Sequence, residues 1–374
     1  VRGRTIPACT AGQRIPSVIR VELWLSRDGV ELDRSAKGPL DMLRGLKVSG
    51  IAAFLALAGL AAGSGRAVRH SHNFTIPPDP AKAKSELIQN NQYRPGATAP
   101  AAQAPSDAEV QARAQKLIDN QHRNDDALEQ YERIERHVDR TGGDQPRVLE
   151  DRLYRVVPTG TGTMKLLLKE GGEPVDPADY HKQLIAWRDL LEVMLKPDDP
   201  RTRSATEKWQ KKKQDRKELV DAAREAFVTK WVGQEARNGL VCDIFQLDPN
   251  PNFHPHSLAQ DVLTRVTAKI WVDHATDQMS RGEAHVIRDI SFGGGILGKL
   301  YRGGVFSIEQ SEAAPGIWLP TRYQYDFTAR KFLFTFEEHQ YVEVSEYHRD
   351  GSPKQALALV ENELASGKST YGDP

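Results

Sequence analysis

The residues spaced for chemistry are few, and each set fails a requirement of the chemistry it suggests. His254-Pro-His256 is the tightest pair of metal-ligating side chains among eleven histidines. A zinc site needs three or four converging ligands, usually with cysteines or a helical His-x-x-x-His, and nothing near His254 in sequence supplies them. Gly293-Gly-Gly295 with Gly298 resembles a phosphate loop on the surface. A phosphate cradle, however, reads Gly-x-x-x-x-Gly-Lys-Ser/Thr between a strand and a helix. Here Ile296-Leu-Gly-Lys299-Leu-Tyr leads into another strand, so a flexible strand connection is expected. Glu337 and Glu338 are adjacent in a predicted strand and point to opposite faces, so they cannot form a close acid/base pair. The Gly-x-Ser-x-Gly elbow of a serine hydrolase is absent. The expectation is therefore a chain with no catalytic residues, no metal ligands and no cofactor.

The elements that would position a site are more legible. In Ile317–Phe327, Ile317, Leu319, Tyr323, Tyr325 and Phe327 alternate with Pro320, Arg322, Gln324 and Asp326. Period-two alternation predicts a strand with one buried and one wet face. Similar runs predict strands at 128–138, 148–157, 163–168, 240–247, 266–272, 279–292, 304–311 and 331–348, with Gly142-Gly143, Gly160–Gly162 and Gly171-Gly172 as turns. Ser106-Asp-Ala-Glu109 is a capping box that opens a short amphipathic helix. A helix is expected over 176–196, with Tyr180, Leu184, Trp187, Leu191 and Met194 as its stripe. A second is expected over 205–231, carrying Leu219, Ala223, Ala226, Phe227 and Trp231. Its first half is basic, from Lys208 to Lys217. That reads as a solvated face, with contact to an anionic membrane surface as the sharper alternative.

Composition limits the rest. Lys plus Arg and Asp plus Glu are 51 each. The first 67 residues hold ten basic and five acidic side chains, so the remainder is mildly acidic, and no concentrated basic surface for nucleic acid is expected. Arg44 and Lys47 followed by the apolar run Val48–Ala62 and small residues read as a secretory signal over 42–67, with an uncleaved N-terminal anchor as the alternative. Residues 1–41 then read as an upstream mis-start or as disordered, with Met42 as initiator. Residues 68–105, broken by Pro77, Pro78, Pro80, Pro95, Pro100 and Pro105, read as a disordered linker. The folded domain is expected over 106–350 with a helical insertion at 176–235, and 351–374 as a tail with a short helix. Two cysteines, Cys9 and Cys242, give no disulfide framework. Cys242, inside Leu240-Val-Cys-Asp-Ile-Phe245, reads as a buried small hydrophobe.

Taken in order, these segments resemble periplasmic proteins of the outer-membrane lipoprotein carrier type, the LolA/LolB-like fold, in a divergent branch. The residues that carry the resemblance are Trp271-Val-Asp273-His-Ala-Thr276-Asp-Gln-Met279-Ser-Arg281, Asp289-Ile-Ser-Phe292 through Leu297, Phe306-Ser-Ile-Glu-Gln310 and Gly316-Ile-Trp318-Leu-Pro320. Arg133-Ile-Glu135-Arg136 and Tyr154-Arg-Val-Val-Pro158 fit the same pattern. The resemblance spans about residues 108–348. It implies an α+β fold: a curved antiparallel incomplete β-barrel of about 9–11 strands, with helices packed on the concave side. It also implies a non-enzymatic exported protein at the cell envelope, in the periplasm, that binds or carries a lipid or lipoprotein acyl chain. The expected hydrophobic lining is Phe306, Ile308, Tyr323, Tyr325, Phe327, Phe332, Phe334 and Phe336. An envelope protein partner and transient contact with the membrane surface are the other implied associations. The competing expectation is a structural or interaction module that presents the charged insertion at 176–235 to a protein partner.

Overall fold

The structure, a computed structural model, describes residues 104–292, 295, 298–349 and 352–367. The expected leader, the upstream segment, nearly all of the linker and most of the glycine connection at 293–297 lie outside the described residues.

Five helices and thirteen strands make up the described chain. Helix α1 (Asp107–Leu128) starts at the expected capping box: Ser106 Oγ accepts from the Glu109 amide, and Glu109 Oε2 accepts from the Ser106 amide at 2.7 Å. It runs a full 22 residues rather than the short helix expected, and takes Leu128 from the first predicted strand. Strands β1 (Tyr131–Arg140), β2 (Val148–Pro158), β3 (Thr163–Glu170) and β4 (Glu173–Pro174) follow. Helices α2 (Pro177–Met194) and α3 (Pro200–Ala226) each begin with Asp-Pro. The Asp176 and Asp199 side chains accept from Ala178 and Arg201 amides, and proline fills the first helical position, where no N–H is needed. Helix α3 ends at Ala226, earlier than expected. Phe227 to Trp231 belong instead to β5 (Phe227–Arg237), so the inserted segment is two helices and then a strand.

The remainder is β6 (Leu240–Pro249), α4 (Leu258–Leu263), β7 (Val266–Asp273), β8 (Met279–Val286), β9 (Ile290–Phe292), β10 (Gly298–Leu300), β11 (Val305–Ala314), β12 (Ile317–Lys331), β13 (Phe334–Arg349) and α5 (Pro353–Ser366). The strand expected over 279–292 is thus two strands, β8 and β9.

All pairings are antiparallel. The main path is β4-β3-β2-β1-β13-β12-β11-β8-β7-β6-β5, with β9 and β10 continuing beside the far end of β12. The end strands β4 and β5 do not pair with each other, so the sheet is an open, incomplete barrel. It coils strongly. Arg237 on β5 donates to Glu309 on β11 at 2.5 Å, although four strand steps in a flat sheet would separate them by about 19 Å.

Register divides the residues between two faces. The inner face carries Phe245, Ile270, Ile308, Tyr323, Val342 and Glu135 in successive strands. Helices α1, α3 and α4 close over it: Val110, Ile118, Leu219, Val220, Ala223, Val262 and Leu263 join its apolar residues in one core. Gly282 lies between Ile270 and Ile308, and a Cβ there would come within 3.3 Å of Ile308 Cγ2. The opposite face of β2–β3 is covered separately by α2 and α5, through Val157, Met164, Leu166, Leu184, Leu191, Ala356 and Val360. Ile317 and Leu319 do not share a face with Tyr323–Phe327 as expected. A register shift at Thr321 re-aims them, and Leu319 packs with Leu128 and Tyr131 in a small separate cluster.

Candidate functional site

The inner face of β11, β12 and β13 holds the aromatic residues singled out in the sequence. Phe306, Ile308, Tyr323, Tyr325 and Phe327 are buried in the main core, and Phe336 is half-buried against it. They form a connected ladder. Tyr325 meets Phe306 edge-on at 6.3 Å, Phe306 stacks on Phe327 at 5.5 Å, and Phe327 meets Phe336 edge-on at 6.4 Å. Phe332 and Phe334 are elsewhere: they flank Leu333 at the tip of the β12–β13 hairpin, where Leu333 is 91% and Phe334 67% exposed. The ladder therefore runs from the closed core to an exposed apolar tip. Sequence alternation identified the ladder. It placed the break between the two strands just before Lys331, ahead of the actual turn at Phe332-Leu333, because Phe-Leu has none of the usual turn chemistry.

The other end of this face is polar. Arg133 on β1 is buried and donates from Nε to Glu135 Oε1 at 2.8 Å. Glu135 also takes the Lys165 ammonium at 2.8 Å and faces His137 Nε2 at 2.8 Å. Burial alone would raise the Glu135 carboxyl, but Lys165, Arg133 and His137 outweigh it and hold the group well below the usual carboxylate range. Burial, helped by Lys165, pushes the His137 imidazole down. Burial likewise drives the Tyr323 and Tyr325 phenols well above their ordinary value, so both hydroxyls stay protonated.

A third set fastens α1 to the sheet. Asp243 on β6 is buried and accepts from Arg113 Nη1, from Trp231 Nε1 at 2.8 Å and from Gln234 Nε2 at 2.9 Å, and lies 2.6 Å from His274 Nδ1. Burial opposes ionisation of Asp243, yet these bonds, led by His274 and Arg113, hold its pKa at about 2. Arg113 also donates from Nε to Asp277 at 2.6 Å. About two and three helical turns further on, Asn120 donates to the Thr276 and Asp277 carbonyls, and Asn124 donates to Gln278 while accepting from the Trp318 amide. The Asp243–His274 pair looks like part of a catalytic triad. Among the described residues no serine, threonine or cysteine bonds to His274, and the pair works as a latch for α1. Nothing in sequence joins residues 113, 231, 234, 243, 274 and 277. The available signal was an aspartate at a buried position inside an apolar strand.

In the basic half of α3, three of the six cationic side chains between Lys208 and Lys217 are ion-paired. Lys213 bridges Asp126 and Glu129 at 3.0 Å each, Arg216 approaches Asp125 at 4.0 Å, and Lys211 pairs with Asp215 at 2.9 Å. A cleft of about 390 Å³ lies beside them, lined by Asp126, Glu129, Gln130, Gly160, Gly162, Trp209 and Lys213. It is polar and distinct from the ladder.

No protein-family model matches the chain, and no curated protein matches it in sequence. Similar solved structures include a domain described as an outer membrane lipoprotein-sorting protein from Vibrio parahaemolyticus, at 10% identity and TM-score 0.28, covering 68% of this chain and 97% of that one. A DUF1329 family protein from Desulfovibrio piger has 12% identity and TM-score 0.26, covering 64% and 93%. A LolA superfamily protein from Nitrosomonas europaea has 10% identity and TM-score 0.27, covering 65% and 96%. At these scores the likenesses decide nothing about ligand or activity, and the architecture rests on the strand order itself.

Proposed function

We propose that this chain is a non-enzymatic exported protein of the cell envelope that carries a hydrophobic ligand, a lipid or a lipoprotein acyl chain, against the inner face of its sheet. The observation that carries the reading is the ladder Tyr325–Phe306–Phe327–Phe336 leading to an exposed tip of Phe332, Leu333 and Phe334. An exposed apolar hairpin tip costs solubility and marks a contact with membrane or ligand. The tip and the core lie on one pair of strands, so apolar side chains on β12 and β13 lead from the tip toward the core. The core is closed by α1, α3 and α4, so uptake requires those helices to move off the sheet. They are suited to do so: α1 is held at its ends by polar bonds as well as by packing, and polar latches reform without repacking.

The export assignment comes from the signal-like segment at 42–67. The non-enzymatic assignment follows from the carrier resemblance carried by the sequence segments of residues 108–348.

Native mass spectrometry of the protein purified from its envelope fraction, with lipid extraction of the same sample, tests the reading. A stoichiometric hydrophobic adduct is expected, with slower reloading from vesicles in Leu333→Ser and Phe334→Asp. A clean unliganded mass after incubation with membranes contradicts it.

A further inference from the structure

The polar end of the inner face has a donor with nothing to bind. The Arg133 side chain is 5% exposed, and its Nε and Nη2 both go to Glu135 Oε1 at 2.8 Å. Its Nη1 is shut away from solvent and has no hydrogen-bond partner among the described residues. A buried donor left without an acceptor loses its hydration with nothing in return, most of all on a charged group, so such donors are rare in native structures.

The charge there is unbalanced as well. Glu135, the carboxylate that Arg133 bonds, also serves Lys165. One buried carboxylate is shared between the buried Arg133 guanidinium and the half-buried Lys165 ammonium, so Arg133 has only part of a counter-charge where desolvation is expensive. A second buried side chain has the same deficit. Gln310 on β11 is 5% exposed, and among the described residues neither its amide nitrogen nor its oxygen has a partner. Gln310 pairs with Pro320, whose carbonyl accepts from Tyr347 Oη at 2.6 Å. Arg133 acts electrostatically on both Tyr347 and Tyr323. These residues therefore belong to the same end of the face, where the aromatic ladder begins.

We infer that this end is the seat for the oxyanion of an amphiphile, a long-chain carboxylate or a lipid phosphate, with Arg133 Nη1 as its principal donor and the acyl chain lying along β12. The inference rests on the carrier reading and adds to it a headgroup and an orientation. An anion here gives Nη1 its acceptor and neutralises the excess charge of Arg133 and Lys165. From Tyr323 to Ala329 the strand runs about 20 Å, the reach of a long acyl chain. The tail then points past Phe327 and Phe336 toward the hairpin tip.

Titration calorimetry of the full chain with laurate, dodecyl phosphate and dodecanol tests this. Wild type should bind one or both anions about tenfold or more tightly than dodecanol, and the tighter anion identifies the source. In Arg133→Gln the ratio should fall to near one with dodecanol affinity little changed, while Arg133→Lys should keep part of the preference. Millimolar inorganic phosphate should not displace laurate. Equal wild-type affinities for laurate, dodecyl phosphate and dodecanol would overturn the headgroup seat and leave the carrier reading standing. So would an undiminished preference in Arg133→Gln, or displacement by free phosphate. Failure of all three amphiphiles to bind would overturn both. The wild-type ratio decides the matter even where Arg133→Gln does not fold.

Discussion

Phe332 occupies the left-handed region, φ 54°, at the apex of the β12–β13 hairpin. A non-glycine residue there costs on the order of 1–3 kcal/mol, and its ring is partly exposed, so stability does not explain the choice. Glycine at 332 should stabilise the fold by about 1 kcal/mol in denaturant unfolding and slow acyl-chain uptake from vesicles. A more stable variant with unchanged uptake would separate the tip from loading. Asp125 is a second residue held at a cost. Burial raises its carboxyl to about 6, against the opposing pull of Arg216 and a bond from Gln121. The folded pKa lies above the unfolded one, so the folded state binds the extra proton and stability falls as pH rises from about 4 to about 6. Asp125→Asn should therefore be more stable than wild type at pH 7.5, by on the order of 2 kcal/mol, with the gap closing below pH 4. A gap that persists at pH 3.5 would assign the effect to packing instead.

On the carrier proposal, helix α1 is the cover whose attachment would govern loading. Asp243 gathers four partners from α1, β5 and the β7–β8 turn. Asp243→Ala strands the Arg113 guanidinium beside Asp277 alone and should cost about 3 kcal/mol of stability. It should also raise hydrogen exchange across 107–128 before the rest of the molecule and speed ligand uptake. Uniform exchange loss throughout the sheet would show α1 to be part of one cooperative unit rather than a cover. This latch was not legible in sequence, because its members are scattered over 165 residues and only the fold collects them. The strands were legible, because half-burial writes a period of two directly into Tyr323, Tyr325 and Phe327. The end of α3 was not. Ala223, Phe227 and Trp231 fit a helical stripe, yet Val228, Thr229 and Val232 favour a strand, and pairing to β6 decides for the strand. The aromatic ladder was thus readable one strand at a time. The charged end of the same face was not, since Arg133-x-Glu135 in a strand reads as ordinary surface until Lys165 and His137 are seen to share Glu135.

At the scale of the whole molecule, an open antiparallel sheet is covered on one face by helices that grip it through both apolar packing and polar latches. The opposite face of β2–β3 is fixed separately by α2 and α5, where buried Glu363 takes Arg155 at 2.7 Å. Under the carrier proposal, displacement of α1 and α3 would leave a braced sheet behind, as reversible loading would require. Ligand binding to the native state alone should raise the melting temperature, and at a hundredfold excess over Kd the gain is about 2.7 kcal/mol. Where the ligand sits is the central claim, and photo-crosslinking reads it directly. The full chain would be loaded with a diazirine-bearing long-chain fatty acid, irradiated, digested and mapped by mass spectrometry. Label is expected on the β11 and β12 peptides that contain Phe306, Tyr325 and Phe327. Label confined to the polar cleft at Trp209, or to the outer surface of α2, would contradict it.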